Sequence, residues 1–179
     1  VEMPIKETEK NIPADTLLSL SFEQPAVSDS PALYNLVDLC QPLDLNSRYC
    51  YMLIPEHFSA TSIVVRSDKQ IGGFISAYLV PERRDTLFIW QVAVHPDFRR
   101  QGLGAKMIFG ILERSICKGV SFLETTVTPS NTSSRKLFYR VAESLQTEIT
   151  EKILFEGKLF GEGDGHEEEV LFRIGPFSL

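Results

Sequence analysis

Residues 99–106 read Arg-Arg-Gln-Gly-Leu-Gly-Ala-Lys, and their types and spacing suit the holding of an anion. Glycine lets the main chain come close to a ligand. A helix opening on such a loop aims its first free amides and the positive end of its dipole at whatever sits there. Arg99 and Arg100 add donors for charge-assisted bonds, and Gln101, Gly102, Leu103, Gly104 and Ala105 complete a strand-to-helix junction that suits a diphosphate. Two familiar phosphate loops are excluded. A P-loop needs Ser or Thr after its lysine, and Lys106 is followed by Met107. A dinucleotide fingerprint needs a third glycine where Met107 stands.

A second set of residues could handle a proton or a cation. Glu124 lies in the middle of the apolar run VSFLETTV, where a carboxylate is costly unless it is paired or functional. Asp44, in the loop LDLN, reads either as a turn residue or as a ligand. Trp90 is either core packing or a wall for a cation. His166 precedes Glu167, Glu168 and Glu169 without the spacing of a zinc motif, so no metal is expected there. On composition alone that stretch is a solvated acidic loop.

These residues need a scaffold, and 179 residues with 43% hydrophobic and 23% charged side chains suffice for one globular domain. A net charge of −6 argues against nucleic-acid binding and favours a small cationic partner. Three unpaired-looking cysteines suit a reducing compartment and core positions. No apolar run approaches the roughly 20 residues of a membrane span, and VEMPIKETEKN is no signal sequence, so a cytoplasmic protein is expected. Residues 1–15 read as a loose leader ahead of a single domain, 16–179.

Within that domain, LLSLSF (17–22) alternates as a strand does, and Ser30-Pro31 opens a helix burying Leu33, Leu36, Val37 and Cys40. Residues 42–51 have no clear period and read as a loop. SIVVR and IGGFISAYLV predict a hairpin, and TLFIWQVAV (86–94) a central strand. Residues 104–117 carry a helical period, 120–127 a further central strand, and Ser130 or Asn131 can cap a helix to about Leu145. VLFRI (170–174) closes the chain's strands. The class is mixed α/β with strands in the majority.

Arg99-x-x-Gly102-x-Gly104 after IWQVAVHPDF, with VTPSNTSSRKLF downstream, resembles the cofactor-binding core of the GNAT-type N-acetyltransferases. The resemblance implies a twisted mixed sheet with helices on both faces. It implies a splayed central strand whose backbone at Val92, Ala93 and Val94 meets the pantetheine arm of acetyl-CoA, with Val92 polarising the acetyl carbonyl. Asn131, Ser134 and Phe138 would line the second cofactor segment. Many members of that family have a tyrosine, acting as general acid, where Phe138 stands; Tyr139 is next along and points elsewhere on the helix.

Five segments narrow the resemblance: LDLNSRYCYMLIPEHF, PERRDTLFIWQVAV, RRQGLG, VSFLETTVTPSNTSSRKLF and GHEEEVLFRIGPF, together nearly all of residues 43–177. They resemble the diaminobutyrate acetyltransferases of ectoine formation. That implies acetyl transfer to the γ-amine of L-2,4-diaminobutyrate, a homodimer, and an acceptor site built from Asp44, Asn46, Tyr49, Trp90, Glu124 and His166. Glu124 is the first candidate to receive the amine's proton and Asp44 the second. Another small amine or diamino acid as acceptor, or a non-catalytic acyl-CoA-binding module, remains the alternative.

Overall fold

The structure is a computed structural model, described over residues 20–68, 70–161 and 165–179. The expected leader, 1–15, and the first half of the 17–22 strand lie outside the described residues. The strands are β1 (Ser21–Glu23), β2 (Ile63–Arg66), β3 (Ile71–Val80), β4 (Arg83–Val94), β5 (Phe122–Val127), β6 (Ile149–Phe155) and β7 (Glu169–Ile174). They form one sheet in the order β1-β2-β3-β4-β5-β7-β6. Its neighbours are antiparallel except at β4–β5, which run parallel. Four helices pack on it: α1 (Ser30–Asp38), α2 (Arg48–Phe58), α3 (Leu103–Leu112) and α4 (Thr132–Ser144).

The period-2 alternation of the strands divides the core in two. Ile63, Val65, Ile75, Leu87 and Ile89 point toward α3 and α4 and pack with Met107, Ile108, Phe138 and Val141. Val64, Phe74 and Ala93 point the other way and pack with Leu33, Val37, Tyr51 and Ile54 of α1 and α2. The expected mixed sheet with helices on both faces is therefore present.

Three local expectations need correction. The loop expected over 42–51 ends at Ser47, whose hydroxyl accepts the Cys50 amide at 3.2 Å and caps α2. Pro55 inside that helix disguised it, because proline normally breaks a helical pattern. The helix expected over 104–117 stops at Leu112, and a short turn carries Cys117 into the core. Strand β6 was not expected at all. It is an exposed edge strand that mixes charged and apolar residues, so no period marks it.

Two irregularities in β4 open a cleft in the sheet. Ser76 pairs with Gln91 but the next residue, Ala77, pairs with Ile89, which leaves Trp90 as the extra residue of a β-bulge. The parallel register with β5 covers only Thr86–Ile89 against Phe122–Thr125, whereas β5 continues beside β7 as far as Val127. Beyond Ile89, then, β4 and β5 separate and the cleft lies between them.

Candidate active site

At one mouth of this cleft, β4 runs through a short turn into the glycine-rich loop and α3. Arg100 and Gly102 both adopt left-handed backbone, at φ 61° and 71°. Nothing lies within 4 Å of where a Gly102 Cβ would stand, so glycine is needed there for its conformation and not for space. At Gly104 a Cβ would meet Leu137 at 3.1 Å, and the missing side chain lets α3 sit close to α4 and β4. No side chain caps α3, which leaves its first amides available to an anion.

Arg99 contributes less than its charge suggests. Arg99 donates from Nε to the Val94 carbonyl at 3.1 Å and from a terminal nitrogen to Cys40 Sγ at 3.8 Å, tethering the loop to β4. Gln101 reaches the Asp97 carbonyl at 3.4 Å. Ala93 and Leu103 bury their side chains, so only their main chain is available to a ligand. Asn131 spends its side-chain oxygen capping α4 on the Ser134 amide at 3.1 Å. Phe138, expected along the cofactor segment, is 2% exposed within the core. Its ring is packing, because α4 turns that face onto the sheet. The Tyr139 hydroxyl is hydrogen-bonded to Glu151 on β6, and its ring packs edge-on against Phe172.

At the other wall, two chain segments bring ionisable groups together. The Asp44 carbonyl accepts from Gln91 Nε2 on β4 at 2.8 Å, while its exposed carboxylate lies 3.5 Å from His166 Nε2. Glu169, the first residue of β7, completes the group, with donor atoms of Asp44, His166 and Glu169 within 4.8 Å of one another. Such a spacing suits a cation, whether an ammonium or a metal ion.

His166 is fixed from behind. Its Nδ1 donates to the Glu167 carbonyl at 2.6 Å and Phe160 stacks on its ring at 3.8 Å. The Glu167 carbonyl holds the imidazole pKa above its ordinary 6.5 against the opposing effect of burial, with a smaller upward contribution from Asp44. Glu167 in turn accepts the Ser130 amide at 2.9 Å, which latches the tail to the start of α4. Trp90, on the bulge, is 43% exposed and Tyr49, in the first turn of α2, 66%, so neither is a core residue.

Glu124 keeps different company. It is 3% exposed and is gripped by both terminal nitrogens of Arg83, at 2.7 and 2.8 Å. Its cross-strand partner Arg173 binds the same carboxylate from β7. The Arg83 bonds, aided by those of Arg173, lower its pKa despite the desolvation that opposes them. Glu124 is therefore not part of the Asp44–His166–Glu169 group. Sequence reasoning missed Glu169, whose only signal was the His-x-x-Glu spacing in an acidic run. It also missed Arg83 and Arg173, which find Glu124 only once the strand register is known.

The family model of the acetyltransferase (GNAT) family matches residues 30–142. The chain belongs to that family of acetyltransferases. It is 41% identical over 160 residues to the L-2,4-diaminobutyric acid acetyltransferase of Marinococcus halophilus, covering 89% of this chain and 92% of that protein. It is 46% identical over 162 residues to the same enzyme of Bordetella parapertussis, covering 90% and 87%. Among solved structures, the diaminobutyrate acetyltransferase EctA from Paenibacillus lautus, in complex with its substrate L-2,4-diaminobutyric acid and coenzyme A, superposes with a TM-score of 0.86. That pair is 41% identical, with 89% of this chain and 96% of the other covered. The ribosomal-protein-S18-alanine N-acetyltransferase of Escherichia coli, at 19% identity and a TM-score of 0.64 over 89% and 96%, shares the fold. Within the GNAT family the chain belongs to the L-2,4-diaminobutyric acid acetyltransferases. Among the described residues no helix is long and apolar enough to cross a membrane.

Proposed function

We propose that this chain transfers the acetyl group of acetyl-CoA to the 4-amino group of L-2,4-diaminobutyrate. The products are N4-acetyl-L-2,4-diaminobutyrate and CoA, and the step is the acetylation that precedes ring closure to ectoine. The observation that carries the reading is the Asp44–His166–Glu169 group beside the β4–β5 cleft. Two carboxylates and one imidazole carry net negative charge at neutral pH, which suits an acceptor with two ammonium groups and one carboxylate. The N-terminus of α3 is the matching site for the diphosphate of the donor.

The residues divide the chemistry between them. The main chain of β4 around Val92, which β5 leaves unpaired beyond Ile89, polarises the acetyl carbonyl as charge develops on its oxygen. The amine attacks as its neutral fraction, since an ammonium has no lone pair. Glu124 is held ionised by two guanidiniums, which makes it a weak base. In this reading it ties the start of β4 to β5 and β7, and Asp44 is the carboxylate that receives the proton. With Phe138 buried and Tyr139 bonded to Glu151, the thiolate leaves without help from a tyrosine, as a thiol of pKa about 8.5 can.

Two further properties belong to the same proposal. Exposed Ile153, Leu154 and Phe155 on the edge strand β6, with Leu159 and Phe160 beyond it, favour a homodimer that covers them. Free cysteines at 40, 50 and 117 favour the cytoplasm.

Thiol release from acetyl-CoA, measured with diaminobutyrate, ornithine, lysine and putrescine as acceptors, tests the reading. Selective stimulation by diaminobutyrate is expected. No stimulation by any amine would leave a binding module, and a flat profile across the panel would sink the acceptor assignment.

A further inference from the structure

Asp44 and Asn46 owe their positions to two buried side chains on other elements. Gln91, 5% exposed on β4, donates to the Asp44 carbonyl from Nε2 and accepts the Tyr51 hydroxyl at Oε1, at 2.8 and 3.2 Å. Tyr51, fully buried on α2, accepts the Asn46 amide at 3.4 Å. The tyrosine hydroxyl thereby donates once and accepts once, and the glutamine uses both ends of its amide. Buried polar groups are costly unless they are bonded. These two meet that cost by bonding to each other and to the main chain of the loop.

The bulge at Trp90 makes the arrangement possible. Ile89 and Val92 both face α3 and α4, so the two residues between them are turned from that core. Gln91 instead shares the face of Ala93 and Tyr51 and reaches up to Asp44. Without the extra residue, strict alternation would turn Gln91 to the opposite side of the sheet. The loop that carries Asp44 is thus referenced directly to the strand whose next residue, Val92, faces the acetyl group in the proposed reaction.

We propose that Tyr51 and Gln91 are positioning residues for the acceptor. They fix the distance between the Asp44–His166–Glu169 group and the edge of β4, and this distance makes the enzyme selective for the length of the diamino acid. The inference rests on Asp44 facing the acceptor in the proposed function. A fixed span discriminates against an acceptor longer by one methylene, and a loosened one does not. One methylene corresponds to about 10- to 200-fold in kcat/KM, which sets the range that can be lost.

The test is the ratio of kcat/KM for diaminobutyrate to that for ornithine. Tyr51→Phe keeps the ring and its edge-on contact with Tyr34 but removes the hydroxyl. It is expected to lower the ratio about tenfold, through a raised KM for diaminobutyrate, with KM for acetyl-CoA and the melting temperature close to the parent's. Gln91→Leu is expected to lower the ratio at least as far, and the double variant no further, because both side chains act through one network. Ser76→Ala is the control. Ser76 is buried opposite Gln91, and its hydroxyl has no hydrogen-bond partner among the described residues, so the ratio should not move.

A Tyr51→Phe enzyme with the parent's ratio, or a Ser76→Ala enzyme that loses as much, overturns the positioning role. If Gln91→Leu does not fold, Tyr51→Phe and Ser76→Ala decide alone. A parent enzyme that does not prefer diaminobutyrate overturns the acceptor reading itself, and the positioning role with it.

Discussion

Two carboxylate centres on this sheet are built with opposite charge balance. At Glu124 one buried carboxylate is bracketed by two guanidiniums, from Arg83 and Arg173. Around His166 two carboxylates, Asp44 and Glu169, share one imidazole. The first centre is satisfied by the protein and asks for nothing more. The second has negative charge left over, which is what a binding site for an ammonium requires. Burial alone points to the first centre, since Glu124 is the more deeply buried, whereas the charge balance points to the second. Counting partners is what separates the two centres, and the proposed function follows that count.

The largest expected effect tests the second centre. Asp44→Asn or Glu169→Gln should lower kcat/KM for diaminobutyrate about 100-fold, the scale of one lost charge-assisted hydrogen bond, while KM for acetyl-CoA stays put. Steady-state kinetics with each substrate varied checks this, and parent-like turnover would erase the contrast between the centres. Glu124→Ala should instead act on stability. It strands Arg83 and Arg173, and because both reach solvent the loss is about 2 kcal/mol, below that of a fully buried pair. Urea unfolding measures it, and kcat/KM should fall far less than in Asp44→Asn.

The same residue gives an acid limb. Its folded pKa lies below the ordinary 4.5, so its stabilisation is complete above that value and drains away as pH falls through the lowered one. Glu124→Gln should flatten the loss of melting temperature below about pH 4.5. The smallest effect belongs to His166, whose folded pKa is raised above 6.5. Its contribution is present below 6.5 and disappears as pH rises through the raised value. A His166→Asn variant should lack that slight neutral-to-alkaline decline, and an unaltered decline would detach His166 from the charge balance.

The proposed donor half of the site was legible in the sequence because it is made of main chain. Gly102 and Gly104 act through the space and angles that glycine alone allows, and their spacing survives in the letters. The proposed acceptor half joins side chains from two distant segments, around Asp44 and around His166 and Glu169, so its composition depends on folding. Asp44 and His166 could be named from matched segments, but Glu169 looked like one more charge in an acidic loop. Arg83 and Arg173 became the partners of Glu124 only through register, which alternation does not supply. The two central strands were readable from their apolar runs, whereas α2 was hidden by Pro55 and β6 by its exposure on the edge of the sheet.

The parallel seam of the sheet is four residue pairs long, from Thr86 with Phe122 to Ile89 with Thr125. Among the described residues it is all that joins β1–β4 to β5–β7 by strand pairing, so the sheet resembles two leaves of a book bound along a short spine. A molecule that bonds to the open edge of β4 supplies the rungs that β5 leaves out and acts as a removable strand. Its binding energy is then also cohesion between the leaves, and if the donor is that molecule, as proposed, the melting temperature of the enzyme becomes a function of how much donor is in solution.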